Sequence, residues 1–165
     1  MIALIALAAV SMALADDLTE YRLKAEYLYR FALFTEWPDD VGDTLNLCVL
    51  GVDPFGAELD ALQGKSVARR NIVVLRNITA DALDGCQIIY VAPSAATDLR
   101  RLIEQTKGQP VLIIADTPGA ARRGATLNMT VVNNHITFEA NMLAARGARI
   151  NLSSRLLRLA TEVIQ

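Results

Sequence analysis

From about Asp17 to Trp37 the apolar residues recur at helical spacing, and Pro38 followed by "DDVGD" ends the pattern. The rhythm then changes to apolar runs of strand length: "TLNLCVLGV" (44–52), "NIVVLRN" (71–77), "CQIIYVA" (86–92) and "PVLIIAD" (110–116). These runs are almost continuous in Val, Ile and Leu, the signature of parallel strands covered on both faces rather than strands with one wet side. Between them lie helical segments with readable ends. Asp53-Pro54 offers an N-cap and a first-turn proline for a helix that Gly64 closes, and "PSAATDLRRLIEQTKG" spans 93–108.

The last third switches to alternation. "ATLNMTVV" and "HITFEA" flank Asn133-Asn134, a pair that tolerates the positive φ angles of a tight turn, so an antiparallel hairpin is expected to extend the sheet. After Ser153-Ser154 the pattern predicts a final helix packed on the sheet. Leu156, Leu157, Leu159, Ala160, Val163 and Ile164 fall on one half of its wheel, and Arg155, Arg158, Thr161, Glu162 and Gln165 on the other. No repeat, linker or low-complexity tract divides the chain. The fold class expected is a single α/β domain: a mostly parallel sheet flanked by helices, with a C-terminal antiparallel hairpin.

The first predicted helix is unusual in its aromatic load. Six of the chain's nine aromatics lie between Tyr21 and Trp37. Leu23, Tyr27, Phe31 and Phe34 share one flank, extended by Ala25, Leu28 and Ala32, and that stripe alone satisfies a core. Tyr29, Leu33 and Trp37, at i, i+4 and i+8, form a second ridge beside Arg22, Glu26, Arg30 and Glu36. An aromatic ridge bordered by charge has the composition of a protein-binding face, so Tyr29, Leu33, Trp37 and Arg30 are the candidate partner-binding residues. The competing reading is that both ridges are buried, the second beneath the final helix.

At 165 residues, 53% hydrophobic and 21% charged, the chain suffices for one domain with a proper core. A net charge of -2 without a Lys/Arg run lacks the electrostatic footprint of a nucleic-acid binder. Residues 1–15, "MIALIALAAVSMALA", form an uncharged apolar run ending in Ala13-Leu14-Ala15, which reads as a secretory signal peptide, with the mature domain over 16–165. In an exported chain, Cys48 and Cys86 suggest a disulfide, with two buried thiols in adjacent strands as the alternative. Neither they nor the lone His135 supply a metal-ligand set, and no cofactor is implied.

Catalytic signals are weak. "GVDPFG" (51–56) leaves a strand and enters a helix, but it is neither G-x-G-x-x-G nor a P-loop, and "GKS" at 64–66 follows a helix. It reads as a βα turn. His135 opens a strand beside the hairpin turn with no nucleophile motif to serve, and Asp16-Asp17 and Asp39-Asp40 sit where solvation explains them. The chain is not read as an enzyme. The rival reading is a small-molecule receptor using Gly51, Asp53 and Gly56, because open α/β sheets bind ligands at their strand ends.

Four stretches, "LKAEYLYRFALFTEWP" (23–38), "LCVLGVDPFGAELDALQGK" (47–65), "CQIIYVAPS" (86–94) and "ITFEANMLAARGARINLSSRLLRLA" (136–160), occur in an order and spacing that resembles the YfiR family of small periplasmic proteins. The resemblance implies an α/β fold, a homodimer, a structural Cys48–Cys86 disulfide and no catalysis. Family members repress a membrane-bound diguanylate cyclase by binding its periplasmic sensor region, which lowers cyclic di-GMP, and an outer-membrane lipoprotein can sequester the repressor. A second cysteine pair carried by some members near the hairpin is absent, with "TPGAARRGATLNM" (117–129) in its place.

Overall fold

The computed structural model describes residues 19–165. The expected signal peptide and mature start fall outside the described residues.

Helix α1 occupies 19–33 and is followed by a two-residue strand, β1 (Thr35–Glu36). The remaining strands are β2 (Thr44–Leu50), β3 (Ser66–Val67), β4 (Arg70–Ile78), β5 (Ile88–Val91), β6 (Leu112–Ala115), β7 (Leu127–Val132), β8 (His135–Asn141), β9 (Asn151–Leu152) and β10 (Glu162–Ile164). Helices α2 (Leu99–Gln105), α3 (Met142–Gly147) and α4 (Ser154–Leu157) are short, and 3-10 turns cover Gly56–Leu62 and Pro93–Asp98. Eight strands form one sheet in the order β10-β8-β7-β6-β5-β2-β4-β3. Only the β7/β8 and β3/β4 neighbours run antiparallel.

Three of the four apolar runs sit where their composition requires, whereas β4 is not covered on both faces, being buried only at Arg70 and Ile72. β5 and β6 are buried at every residue, and β2 from Leu47 onward. Even and odd positions feed two separate cores. Tyr90, Leu112 and Ile114 meet α1 and Phe55 on one face, whereas Ile89, Val91 and Ile113 meet Leu99 and Leu102 on the other. The Asn133-Asn134 hairpin forms as expected, with φ of 49° and 60° and Val132 opposite His135. Cys48 and Cys86 are joined by a disulfide linking β2 to the entrance of β5.

Three expectations are corrected. The segment after Asp53-Pro54 is a 3-10 turn rather than an α-helix, and the first helix stops before Trp37. The Thr35 hydroxyl donates back to the Phe31 carbonyl at 2.8 Å, and Thr35-Glu36 then pair antiparallel with Leu152-Asn151. The largest change is at the C-terminus. The final helix is only α4, capped by the Ser153 hydroxyl accepting from the Leu156 N–H, after which the chain turns and enters β10 parallel to β8. Val163 and Ile164 suit a sheet better than a helix because β-branching restricts χ1, and a free sheet edge beside β8 was available to them.

Candidate functional site

Helix α1 builds one wall of the site, and a buried ion pair sets its position. Lys24 Nζ lies 2.8 Å from Asp116 Oδ2 at the end of β6 and also pairs with Glu20, one turn earlier. The side chains of Lys24 and Asp116 are 5% and 3% exposed. The Tyr90 hydroxyl donates to the same Asp116 oxygen at 2.6 Å. Burial alone pushes the Lys24 ammonium pKa down, but hydrogen bonds to Asp116 and Glu20 and the Asp116 charge outweigh it, so the net shift is upward. Tyr90 is also raised, by burial first and then by the Asp116 charge and hydrogen bond. Both groups therefore hold their protons in the folded state after the unfolded chain has begun to release them. Their contribution is complete below about pH 10 and falls as pH rises further. Urea unfolding between pH 9 and 11.5 is expected to show a steady loss of stability, and Lys24→Met combined with Tyr90→Phe is expected to flatten that slope.

With α1 fixed, its two flanks separate. Leu28, Phe31 and Ala32 are fully buried, and Tyr27 and Phe34 are half-buried at the margin of the core. The second ridge does not form a continuous surface. Tyr29 is half-buried, its hydroxyl donating to the Ser66 carbonyl at 3.0 Å with Lys65 Nζ 4.5 Å from its ring centre. Trp37 lies beyond the helix and is only 8% exposed, in the core. Leu33 and Arg30 alone keep the expected exposure.

A different apolar surface takes the ridge's place. Tyr27 and Phe31 of α1 and Phe34 just beyond it face Ile136 and Phe138 of β8 across a groove of about 470 Å³. Phe31 and Phe138 meet edge to face at 5.0 Å, and Tyr27 packs on Phe31 at 5.7 Å. Leu156 and Leu159 close the far side, with Leu159 70% exposed. Arg30 stands on the rim, its guanidinium 5.6 Å from the centre of the Tyr27 ring. The sequence signal for Leu156 and Leu159 was present as an apolar helix face, but it was read as a surface turned toward the core.

The other candidates are internally satisfied. In the 51–56 turn the Gly51 N–H donates to the Ile78 carbonyl, Val52 to Ser94 Oγ, Asp53 to Asn77 Oδ1 and Phe55 to Asp53 Oδ1. Pro54 has no N–H, so from Gly51 to Phe55 no backbone donor is left to offer an anion. Asp53 also pairs with Arg76, which donates to the Gly56 carbonyl at 2.8 Å. Gly51 is required by its φ of +94° and because a Cβ there would lie 2.6 Å from Ser94 Oγ. His135 is exposed beside the hairpin turn, and Glu139 accepts from Asn128 Nδ2 at 3.1 Å. Among the described residues, no three His, Cys, Asp or Glu side chains gather as a metal site, and no helix is long and apolar enough to cross a membrane.

The profile of the YfiR/HmsC-like family matches residues 21–161, which takes in α1, both walls of the groove and both cysteines. The chain belongs to the YfiR/HmsC-like family. The family is a regulatory one, and membership supports a regulatory role in the periplasm in general terms. No curated protein matches the sequence. Among solved structures, the YfiR-like chain is similar to a conserved domain protein from Vibrio cholerae O1 biovar El Tor, at 15% identity and a TM-score of 0.53. The alignment covers 72% of this chain and 54% of that one, and at this identity it speaks for the fold alone.

Proposed function

We propose that this YfiR-like protein is exported to the periplasm by residues 1–15 and represses a membrane-bound diguanylate cyclase by docking on its periplasmic sensor region. One observation carries the docking reading: an apolar groove whose rim holds a leucine 70% exposed and whose walls are aromatic, in a chain from a regulatory family. Leu33 and Arg30, both exposed on α1, extend the docking face. Repression works as a population shift, through tighter binding to the inactive sensor conformation than to the active one, since equal affinity for both would change nothing. A homodimer is the expected assembly, and an outer-membrane lipoprotein that takes the same face would relieve the repression.

The test is made in cells that carry the candidate cyclase. Wild-type protein is expected to lower cyclic di-GMP. Leu159→Asp is expected to lose most of that effect, because loss of an anchor in an interface centre costs about 2 kcal/mol, roughly 30-fold in affinity. Leu159 is exposed, so the same substitution leaves the melting temperature nearly unchanged. A folded Leu159→Asp protein that represses fully would refute docking through the groove. Wild-type protein in the periplasm with no effect on cyclic di-GMP would refute the cyclase as target.

A further inference from the structure

The edge of β8 is only partly covered. β10 pairs with the last three residues of that strand, Glu162 opposite Glu139, Val163 opposite Ala140 and Ile164 opposite Asn141. The Thr161 N–H extends the contact to the Phe138 carbonyl at 2.8 Å. Among the described residues, the side of β8 away from β7 has no neighbouring strand from His135 to Phe138.

The register says which backbone groups point that way. Asn133-Asn134 form a two-residue turn closed by Val132 and His135, so His135, Thr137 and Glu139 spend their N–H and C=O groups on β7. Ile136 and Phe138 turn theirs outward, as the Thr161 bond to the Phe138 carbonyl attests. Among the described residues, the Ile136 backbone has no bond outside the β7/β8 ladder. Ile136, Thr137 and Phe138 also line the groove in succession. Side chains alternate across a strand, so three consecutive residues border one groove only where it runs along the strand edge. The groove and the unpaired backbone are therefore the same place.

Its charge also has a sign. Arg30 on the rim has no carboxylate partner among the described residues, and neither do Arg155 and Arg158 in the turn that supplies Leu156 and Leu159.

We infer that the groove takes an extended segment of a partner protein that adds as a strand to the open edge of β8, with apolar residues at alternate positions and acidic residues between them. The open stretch of four residues spans about 13 Å and offers the Ile136 N–H and C=O and the Phe138 N–H as the pairing groups. A helix would satisfy its own backbone and leave Ile136 unpaired, so it fits the groove walls but not the edge. This inference rests on the reading that the groove is the docking site, and it adds the conformation and charge of what docks.

Blocked nine-residue peptides of three kinds, four molecules in all, test it on the full mature chain. One alternates valine and glutamate, one carries the same composition at helical spacing, and one is the alternating peptide N-methylated along one edge, made in both edge versions. The alternating peptide is expected to bind and to slow amide exchange at Ile136 and Phe138 at least tenfold. N-methylation of one edge is expected to weaken binding at least tenfold and of the other to leave it unchanged. Tighter binding by the helical-spacing peptide, binding that leaves the Ile136 and Phe138 amides unprotected, or no binding by any peptide would overturn the inference. None of these outcomes touches the cellular cyclic di-GMP measurement, so the two readings fail separately.

Discussion

Replacing Asp116 by alanine is expected to cost the fold about 3–5 kcal/mol, because it strands the Lys24 ammonium inside the protein after removing its buried partner. The Tyr90 hydroxyl loses its acceptor in the same step. Glu20 remains near Lys24, but its side chain is 33% exposed and replaces only part of the lost interaction. Removing both charges together, as Lys24→Met with Asp116→Leu, is expected to recover most of the loss, since well-packed apolar groups often match a buried ion pair in stability. Urea unfolding of the two single variants and the double variant reads the coupling directly. An Asp116→Ala midpoint indistinguishable from wild type would show that the pair does not hold α1 on the sheet. The stake is large relative to the whole, because domains of this size are stable by only about 5–15 kcal/mol.

The second large effect is expected at the disulfide. Cys48 and Cys86 are 38 residues apart, and closing a loop of that length restrains the unfolded chain by about 4 kcal/mol in the chain-entropy account. Alanine at both positions removes the crosslink without burying a new hydroxyl at Cys48, which is fully buried. The variant should unfold at markedly lower urea, and wild-type protein should move to the same midpoint when reduced. A loss below about 1 kcal/mol would mean that the β2/β5 pairing already holds these residues together in the unfolded ensemble. A bond of this worth suits an oxidising compartment, where it persists without upkeep.

The central sheet was legible because its signals are local. β2, β5 and β6 announce themselves as runs of Val, Ile and Leu, and Asn133-Asn134 states the hairpin in two residues. The C-terminal strand was not legible, because Leu156, Leu157 and Ala160 start a helical pattern that Val163 and Ile164 continue by coincidence of spacing. Only the vacancy beside β8 decides otherwise, and that is a tertiary fact. Lys24 shows the same limit, since a lysine on an amphipathic helix reads as solvated until Asp116, 92 residues later, is placed against it. The groove was half visible. Its aromatic wall follows from the α1 stripe, but Ile136, Phe138 and Leu159 reach it through topology, and the Tyr29, Leu33 and Trp37 ridge is interrupted because α1 ends one turn before Trp37.

The small β1/β9 ribbon joins Thr35 to Leu152, and the Ser153 N–H bonds the Phe34 carbonyl beside it. Almost the whole polypeptide is thereby looped between the first helix and its final neighbours, which include Phe138 and Leu156. During synthesis α1 emerges long before Phe138, Leu152 and Leu156, which complete its seat. Closing so long a loop is slow, and until it closes the aromatic flank lacks most of its cover. The nascent chain thus carries a partly uncovered aromatic flank until β9 is made, which makes it a natural client for a holding chaperone over that interval.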